Sequence, residues 1–520
     1  MKESDHQLKW KAVAIVMVMV CAPVLCTAYA AGSGTGGNSI PVVIESGSGV
    51  ETASYIIYKD GDYTCAKSGT TGRIEIRNAD SSTVLSTVCN YPGATIYIAD
   101  GKYFIDSPIE MLADDVTLVG NGLGTVLIGN GVDVVKVGTD DGHSSVANVT
   151  IKRLNIRGGL HGVVLNYNTH NSAVQECIID DVGVHGILLR QGGYDNLVST
   201  NRINDPHVSG IHVYQSNDTV ITDNIIRGPE TGRGIAIYPD EPSHQASYRT
   251  VITSNTISGA DDSIGYGIYL YGSVYGAVSG NVVSYCTAGM MLNVEAGYSD
   301  GGSNNSITSN TFTENIGYGI QIGSTSYGAC NFNVVDANVV AKNGKSGIYI
   351  GQGSENIISN NQIIDNGELA IGHAGVFVGL GNGNTIANNV IVDSVTSVKT
   401  SFGVKVEPGC DGTVITANTL SGHGIGVVSQ ISNAGTNSII KANPGFKTEG
   451  AWKLTFSAGV SSVNFAHEFA IKPTVALVQG SSKATANMTV SVTSSLIYVI
   501  SNTGLMPVDT EIYVFAYYSL

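Results

Sequence analysis

The chain has 520 residues, of which 65 are glycine and only 13% are Asp, Glu, Lys or Arg, about half the charged share of an ordinary soluble domain. Its formal net charge of −16 argues against a nucleic-acid partner, because phosphate binding requires clustered Lys and Arg. The length exceeds one ordinary compact core, yet no change of composition divides the middle of the chain into typical domains. We therefore expect one long unit of strands and turns.

The first segment has the features of an export signal. Lysines precede the uncharged run 12–31, which ends in the small-residue pattern Ala28-Tyr29-Ala30, so residues 1–31 are predicted to be a cleaved signal peptide. A retained membrane anchor is the alternative, since the run is long enough to span a bilayer. No later stretch is apolar enough over the length needed to span a bilayer, so we expect a secreted or cell-surface protein with no membrane span in its mature part. Export permits disulfides, and Cys65 with Cys89 is the favoured pair.

Residues 32–92 are predicted to be a leader, a β-hairpin region and a capping helix. The turn sequence Lys59-Asp60-Gly61-Asp62 lies between two alternating segments, which predicts an exposed hairpin. Asp80 or Ser81 would then cap a short helix. That helix would cover the open end of the repeat that follows, because an uncovered end exposes unpaired backbone groups.

An internal repeat runs from about residue 144 to 430 and combines two motifs, and the domain that contains it is predicted to span residues 93–445. The first motif is hydrophobic-x-x-Asn-x-hydrophobic, as in residues 221–226, and its Asn recurs at 201, 224, 255, 281, 310, 338, 361, 389 and 418. The second motif is Gly-Ile-x-hydrophobic, with Gly at 162, 186, 210, 234, 267, 289, 319, 347, 375, 403 and 424. Both series advance by 21 to 33 residues per step, a period typical of repeat architectures.

Each motif alternates apolar and polar residues, and we interpret each as one short strand with one buried face. Short strands that recur without hairpin signals can bury that face by coiling, so that each pairs in parallel with its counterpart one repeat away. The fold class is therefore all-β, a parallel β-helix. The Asn column is interpreted as stacked amides that hydrogen-bond from coil to coil.

The repeat ends at Asn443-Pro444-Gly445. Residues 446–520 instead contain several alternating runs, which predict a small C-terminal β-sandwich-like domain. It would serve as a cap, an attachment module or a module for homo-oligomerisation.

The chain resembles the pectate lyase superfamily through residues 95–103, residues 115–124 and the two repeat motifs, over roughly residues 80–430. It is also similar to archaeal surface β-helix proteins that join a leader and a β-helix to a short C-terminal β domain. The resemblance implies a right-handed single-stranded parallel β-helix of the pectin lyase-like type. The superfamily includes lyases, glycoside hydrolases, epimerases and viral tailspikes, so the fold does not choose the reaction.

Alignment on the Gly-Ile motif predicts one outward strip of aromatic and polar side chains, which would bind sugar rings. The alternative is that Tyr is simply a common residue of exposed strands. The predicted substrate-binding residues are Arg190, His212, Tyr214, Arg233, Tyr238, Tyr269 and Tyr271.

Beside this strip, Asp181 and Asp205 both lie five residues before their glycines, so they should be neighbours on adjacent coils, with His185 and His207 close by. Two such carboxylates repel, and either one is protonated or the pair holds a cation such as Ca²⁺. A protonated carboxyl and its partner could cleave a glycoside, and His could abstract a proton next to a uronate carboxyl. The alternative is that these residues only stabilise turns.

Family signatures near this cluster are incomplete. The paired aspartates and Asn-Thr-Asp signature of polygalacturonases are absent, and so is a clear lyase Arg motif. The triplet Asp205-Pro206-His207 is similar to the Asp-Pro-His of alginate C5-epimerases, although the preceding Tyr is missing and Val208 follows.

Two hypotheses therefore stand side by side. The first is a protein that binds or acts on an extended acidic polysaccharide, as a lyase, glycoside hydrolase or epimerase, with Ca²⁺ as the candidate cofactor. The second is a non-catalytic surface or adhesion protein. A viral receptor-binding spike fits the repeat and the C-terminal domain but fits poorly with a signal peptide.

Overall fold

The structure is a computed structural model, and part of the chain is described in it. The described residues are 43–46, 49–228, 232–239, 245–259, 265–294, 301–367, 372–394, 401–423, 430–446, 448–456, 461–466, 475–480, 488–493, 496–501 and 510–517. The predicted signal peptide and the start of the leader lie outside them, so export stays a prediction. No helix in the described part is long and apolar enough to cross a membrane.

The repeat folds into coils, and each complete coil contributes one short strand to each of three parallel sheets. The first sheet contains Thr95–Ile98, Thr117–Val119, Thr150–Lys152, Ala173–Gln175, Leu197–Ser199, Val220–Thr222, Val251–Thr253, Ala277–Ser279, Ser306–Thr308, Val334–Asp336, Ile357–Ser359, Thr385–Ala387, Val414–Thr416 and Ile439–Lys441. The second sheet contains Gly101–Ile105, Thr125–Gly129, Asn155–Gly158, Ile178–Asp180, Arg202–Asn204, Ile225–Arg227, Thr256–Ser258, Val282–Ser284, Thr311–Thr313, Val339–Ala341, Gln362–Ile364, Val390–Val392 and Thr419–Ser421. The third sheet contains Ile109–Met111, Val135–Val137, Val163–Leu165, His185–Leu189, Ser209–Tyr214, Arg233–Tyr238, Tyr266–Tyr271, Ala288–Asn293, Ile320–Ile322, Ile348–Ile350, Ala374–Val378, Phe402–Val406 and Ile431–Asn433.

The Asn motif is two strands, not the single strand that its pattern predicted. The chain bends at the Asn, as between Val220–Thr222 of the first sheet and Ile225–Arg227 of the second. At this bend Asp223 adopts φ 57°, a left-handed conformation that Asp tolerates better than most residues.

The predicted Asn ladder is confirmed. Asn224 Oδ1 accepts hydrogen bonds of 3.0 Å from both the backbone N–H and the side-chain Nδ2 of Asn201, and Asn224 Nδ2 donates to the Val198 carbonyl at 2.9 Å. The same amide-to-amide bond, 2.9–3.0 Å long, recurs at every step of the ladder. The ladder consists of Asn201, Asn224, Asn255, Asn281, Asn310, Asn338, Asn361, Asn389, Asn418 and Asn443.

The glycines of the second motif are required by packing inside the coil. A Cβ added at Gly234 would lie 2.4 Å from Ile257 Cγ2 and 2.6 Å from the Gly267 carbonyl oxygen. Larger residues would therefore push the second and third sheets apart. The space between the sheets is filled by stacked, fully buried aliphatic side chains such as Ile226 and Ile235.

The N-terminal end of the coil stack is covered. Strands Val43–Ser46 and Gly49–Thr52 pair with each other, and Tyr55–Asp60, Tyr63–Ser68 and Ile74–Asn78 form an antiparallel unit. This hairpin is not exposed as predicted, because Tyr55–Asp60 pairs in parallel with Thr95–Ile98 and extends the first sheet. Helix Ser81–Cys89 follows, and the Asp80 carboxylate accepts hydrogen bonds from the first turn. Its buried Val84, Leu85 and Val88 join the core of the first coil.

Short elements and the C-terminal region complete the description. A 3-10 turn occupies Gly122–Gly124, and Ser247–Tyr248 pairs with Ser273–Val274. Strands Glu449–Phe456, Val475–Gly480 and Thr510–Tyr517 form one antiparallel sheet, and Ser462–Ala466, Met488–Val492 and Leu496–Ser501 form another. Buried residues of both sheets, including Val499 and Val514, form one small separate core.

The predicted Cys65–Cys89 disulfide is wrong. All six cysteines in the described part of the chain are buried free thiols. Cys89 belongs to the core beneath the capping helix, and burial raises its pKa to about 12.

Candidate functional site

The outward face of the third sheet presents three columns of side chains over the strands from Val163–Leu165 to Tyr266–Tyr271. The column before the glycines contains His161, His185, Ser209, Arg233 and Tyr266; the column two places after them contains Leu188, His212, Ala236 and Tyr269; the column four places after them contains Arg190, Tyr214, Tyr238 and Tyr271. We name a subset of these residues the strip. The strip consists of His185, Arg190, His212, Tyr214, Arg233, Tyr238, Tyr269 and Tyr271.

The rings of the strip form a continuous series of contacts. His185 and His212 have ring centroids 4.3 Å apart, and His212 lies 4.3 Å from Tyr214 and 5.0 Å from Tyr238. Tyr238 continues the series to both Tyr269 and Tyr271, each at 5.4 Å. One aromatic surface therefore crosses four adjacent coils.

Two arginines border this surface. The Arg233 guanidinium lies 5.4 Å from the Tyr238 ring centroid and 5.1 Å from that of Tyr269. Arg190 lies 5.5 Å from the ring of Tyr167. Such cation–ring contacts hold a guanidinium in place while leaving its N–H groups able to bind an anion.

The strip is outward but not fully exposed. His212 is 3% and Tyr269 6% exposed, because neighbouring rings cover them. The interior core contains Ile211 and Val213, on either side of His212, but not His212 itself.

Several buried polar atoms of the strip lack a hydrogen-bond partner among the described residues. They are His185 Nδ1, His212 Nε2 and Arg233 Nε. Two neighbouring imidazole nitrogens do have partners. The backbone N–H of His185 donates to His161 Nδ1 at 3.2 Å, and Ser209 Oγ lies 3.4 Å from His212 Nδ1. Buried unpaired polar atoms are costly and uncommon in native proteins.

The imidazoles of the strip are held neutral. Burial, followed by the charges of neighbouring residues including Arg233, lowers the pKa of His185 to about 3. Burial also lowers the pKa of His212 well below its usual value and lowers that of His161. Burial raises the pKa of Tyr238 and Tyr269, so their hydroxyls keep their protons. The arginines therefore carry the positive charge of this surface.

A cavity of about 330 Å³ opens at one end of the strip. Its lining residues are His161, Tyr167, Val184, His185, Leu188, Arg190, Gln191 and Tyr214. The cavity is thus lined by imidazole, guanidinium and phenol groups together with the apolar side chains of Val184 and Leu188.

Asp181, Asp205 and His207 lie elsewhere, in the turns between the second and third sheets. The backbone N–H of Asp181 donates to the Asn204 carbonyl at 3.1 Å, which places Asp181 and Asp205 in the same turn of adjacent coils. Both aspartates have positive φ, 54° and 49°, and are exposed. His207 is exposed too, and none of the three lines the cavity. The structure brings His185 together with the predicted binding residues but not with the two aspartates.

The comparison with protein families covers most of the chain. The family described as right handed beta helix region matches residues 74–242, 243–391 and 298–466. The chain belongs to this right-handed β-helix family. No curated protein matches it significantly.

Three solved structures illustrate what this β-helix protein is similar to. The tailspike protein gp49 of Pseudomonas phage LKA1 has a TM-score of 0.50 and 10% identity over 85% of this chain and 92% of that chain. A PL6 alginate lyase in complex with a trisaccharide has a TM-score of 0.50 and 15% identity over 69% and 85%. The A-module of the Azotobacter vinelandii mannuronan C-5 epimerase AlgE6 has a TM-score of 0.49 and 16% identity over 70% and 94%. At these identities the likeness shows the fold alone.

Sequence reasoning missed some residues at the site of this β-helix protein. Tyr266 precedes its glycine as His185 and Arg233 do, and its ring stacks on Tyr269 at 5.2 Å, so the same register could have identified it. Tyr327 approaches Tyr271 to 6.1 Å from a loop outside the repeat register. No repeat signal marks such a loop residue.

No group of three or more His, Cys, Asp or Glu side chains that could hold a metal ion is found among the residues that the structure describes. The expectation of Ca²⁺ stays a prediction.

Proposed function

We propose that the strip binds an extended acidic polysaccharide. The observation that carries the proposal is the set of buried, unpartnered nitrogens of His185, His212 and Arg233 within an aromatic surface. A folded protein normally satisfies such groups internally. Because these nitrogens are enclosed by neighbouring side chains, a bound molecule with several oxygen atoms would satisfy them once the rings that cover them turn aside.

The charges of the site favour an anionic ligand. Arg190 and Arg233 are cations, and the buried imidazoles are neutral. Neither guanidinium takes part in an ion pair between described residues. Arg pairs well with carboxylates. Tyrosine rings offer an apolar face beside a polar hydroxyl, which suits a sugar ring that carries a carboxylate.

A second candidate function is proton abstraction from the bound sugar, as in a lyase or an epimerase. The observation that favours it is the position of neutral His212 between Tyr214 and Tyr238. In a lyase reaction, the rings that cover His212 would first turn aside. His212 would then take the proton from the carbon next to the carboxylate, and that electron pair would form a C=C bond. The glycosidic C–O bond would break, and a tyrosine hydroxyl would protonate the leaving oxygen. In an epimerase no C–O bond would break, and a tyrosine hydroxyl on the opposite face of the sugar would instead give its proton to the same carbon, while His212 keeps the proton that it removed.

Glycoside hydrolysis by Asp181 and Asp205 receives less support from the geometry. These carboxylates lie in exposed turns outside the cavity and the strip. Their left-handed turn positions account for Asp at both sites.

The proposed ligand also fits a non-catalytic surface or adhesion protein, which would hold the polysaccharide without changing it. A PL6 alginate lyase that shares the fold was solved with a trisaccharide, which supports a saccharide as the ligand in either case. Export to the cell surface or medium belongs to the same proposal and rests on the N-terminal run 12–31. N-terminal sequencing of the mature protein tests it, and a start near residue 32 is expected.

The binding experiment compares alginate and polygalacturonate with neutral dextran by isothermal titration calorimetry. We expect affinity for at least one polyuronate, none for dextran, and a loss of roughly tenfold or more for Arg233→Ala, since one charged hydrogen bond contributes about 1.5–3 kcal/mol. The matched control is Arg227→Ala, which removes an exposed arginine from the second-sheet strand of the same coil. Equal losses for both variants would contradict the assignment of the strip.

The reaction experiment follows unsaturated uronide absorbance and new reducing ends with the same polymers. If His212→Leu abolishes the activity and the double variant Asp181→Asn with Asp205→Asn keeps it, the result supports proton abstraction at the strip. Activity lost only in the aspartate variants supports hydrolysis in the turns. Binding without either signal supports the adhesion function.

A further inference from the structure

A second aromatic and cationic cluster lies farther along the same outward face of the third sheet. The column that contains Tyr269 continues, strand by strand, through Met291 and Gln321 to Tyr349. Phe377 and Lys405 follow in the same column. We name this cluster the distal patch. The distal patch consists of Tyr318, Lys345, Tyr349, His373, Phe377 and Lys405.

The rings of the distal patch form a connected platform. Tyr318 and Tyr349 are stacked with centroids 4.7 Å apart and planes 17° apart. The edge of Phe377 meets Tyr349 at 5.2 Å, and His373 meets Tyr318 at 6.2 Å. Tyr349 and Phe377 alternate with interior residues such as Ile350 and Val376, so their rings face outward.

Two lysines give the platform a positive charge. The Lys345 ammonium lies 5.2 Å from the Tyr318 ring centroid, and the Lys405 ammonium lies 4.6 Å from that of Phe377. Lys405 also forms a 2.6 Å ion pair with Glu407, so one positive charge of the patch remains after this pairing. Burial first, and then the charges of Lys345 and Lys405, lower the pKa of His373. Both lysines therefore act on the same part of the surface.

The face between the strip and the distal patch carries no charge in this column. Met291 and Gln321 occupy the two intervening positions. Tyr269 and Tyr349 are three strands apart, which corresponds to roughly 14 Å at the usual spacing of neighbouring strands. A ligand that follows the column would meet an aromatic and cationic surface at each end and a neutral segment between them.

We propose that the distal patch is a second contact site for the same acidic polysaccharide, so that one chain of several sugar units bridges the strip and the patch. This inference rests on the proposed function, because it assumes the same class of ligand. Its own support is the continuity of the two surfaces in one register and their shared chemistry of rings beside cations. Two linked contacts strengthen binding without any new interaction at either one.

A direct consequence is a dependence of affinity on ligand length. A disaccharide contacts the strip or the patch, whereas a longer oligosaccharide reaches both. Affinity should therefore rise steeply once the oligosaccharide spans the neutral segment, and it should level off at greater lengths. A single site would instead give affinity that stops rising at the shortest lengths.

The experiment titrates size-graded oligogalacturonates and oligomannuronates into the wild type, Tyr349→Ala and Lys345→Ala. We expect each variant to lose at least tenfold in affinity for the long oligosaccharides and to keep wild-type affinity for the short ones. Retained binding of short ligands also shows that the variant is folded. The matched control is Lys441→Ala, which removes an exposed lysine from the first sheet.

Two results would overturn the inference, and they differ from each other. If Arg233→Ala weakens every ligand while Tyr349→Ala and Lys345→Ala weaken none, the strip binds alone and the proposed function survives. If the wild type binds no polyuronate of any length, the proposed function falls and the bridging ligand falls with it.

Discussion

Two sets of buried polar atoms follow the same coils, and they differ in whether the protein supplies their hydrogen-bond partners. In the Asn ladder each amide accepts from the amide of the preceding coil at 2.9–3.0 Å and donates to backbone carbonyls. In the strip, nitrogens of His185, His212 and Arg233 are equally enclosed but have no partner among the described residues. The coils therefore pair the amides of the ladder and leave these three nitrogens of the strip unpaired.

The difference separates a structural column, the Asn ladder, from a binding surface, the strip. A paired buried amide stabilises the fold, whereas an unpaired buried group costs about 1–3 kcal/mol. Evolution tolerates such a cost mainly where a function uses the group. The ladder is therefore assigned to stability and the strip to a ligand, so mutations in the ladder should reduce stability, whereas mutations in the strip should reduce binding.

The largest effect is expected from breaking the ladder at Asn361. Asn361→Ala removes the acceptor for the backbone N–H and Nδ2 of Asn338, at 2.9 and 3.0 Å. It also removes the side-chain donor to Asn389 Oδ1, which keeps only the backbone N–H of residue 361 as a donor. We expect the free energy of unfolding to fall by about 2–4 kcal/mol, because several buried groups lose partners. Thermal and urea unfolding measure it.

The control for Asn361 is its neighbour Gln362, which is exposed on the second sheet. Gln362→Ala should change stability by no more than about 0.5 kcal/mol. If Asn361→Ala proves as mild as the control, the ladder does not stabilise the coils and the contrast with the strip disappears.

The next effect concerns pH, because the imidazoles of the strip are buried in the neutral form. The pKa of His185 is about 3 in the folded chain, below the 6.5 of an unperturbed histidine, so between these values the unfolded chain binds more protons. The contribution of the neutral imidazole to the free energy of unfolding is therefore fully present above pH 6.5. It is lost as the pH falls toward 3, by up to about 1.4 kcal/mol per pH unit for each such histidine. The midpoint of urea unfolding, measured as a function of pH, tests this.

The double variant His185→Leu with His212→Leu should flatten this pH profile. His143→Leu, in an exposed turn, controls for the loss of a histidine as such. An unchanged acid slope in the double variant would show that these imidazoles are not the groups that destabilise the folded chain in acid.

The sequence predicted the columns better than it predicted their environment. The Asn and Gly registers correctly grouped the side chains that share a face, since one step of the repeat equals one coil. The registers did not show that the Asn motif contains two strands, because the bend depends on the left-handed residue before each Asn, and residues such as Asp223 and Ala417 give no common signal. The ladder could therefore be predicted, but not the number of sheets.

The strip was only half predictable for a similar reason. Its members follow from register, but the burial of His212 depends on how Tyr214 and Tyr238 orient their rings over it. Ring orientation is a property of packing that a period cannot give. The turn position of Asp181 and Asp205 was predicted too, whereas their separation from the cavity required the structure.

A smaller effect on stability is expected at the strip itself. His212→Leu replaces a buried, partly unpartnered ring by an apolar side chain, so stability should change by less than about 1 kcal/mol or increase. Binding of the polyuronate should nevertheless fall at least tenfold. Differential scanning calorimetry and titration calorimetry on the same sample give both numbers. A strongly destabilised His212→Leu with unimpaired binding would assign the strip to structure, like the ladder.

The smallest effect is expected where the ladder ends, at Cys177. Its thiol takes the place of an amide: Sγ contacts the carbonyls of Gln175 at 3.3 Å and Ile151 at 3.9 Å, and its backbone N–H donates to Asn201 Oδ1 at 3.0 Å. In Cys177→Asn, the new Nδ2 would donate to the same carbonyls and to Asn201, extending the ladder by one coil. We expect a gain of about 0.5–1 kcal/mol, whereas Cys177→Ala should lose stability. If the Asn variant unfolds before the Ala variant, the ladder ends at Asn201 because the adjoining coil cannot accommodate an amide.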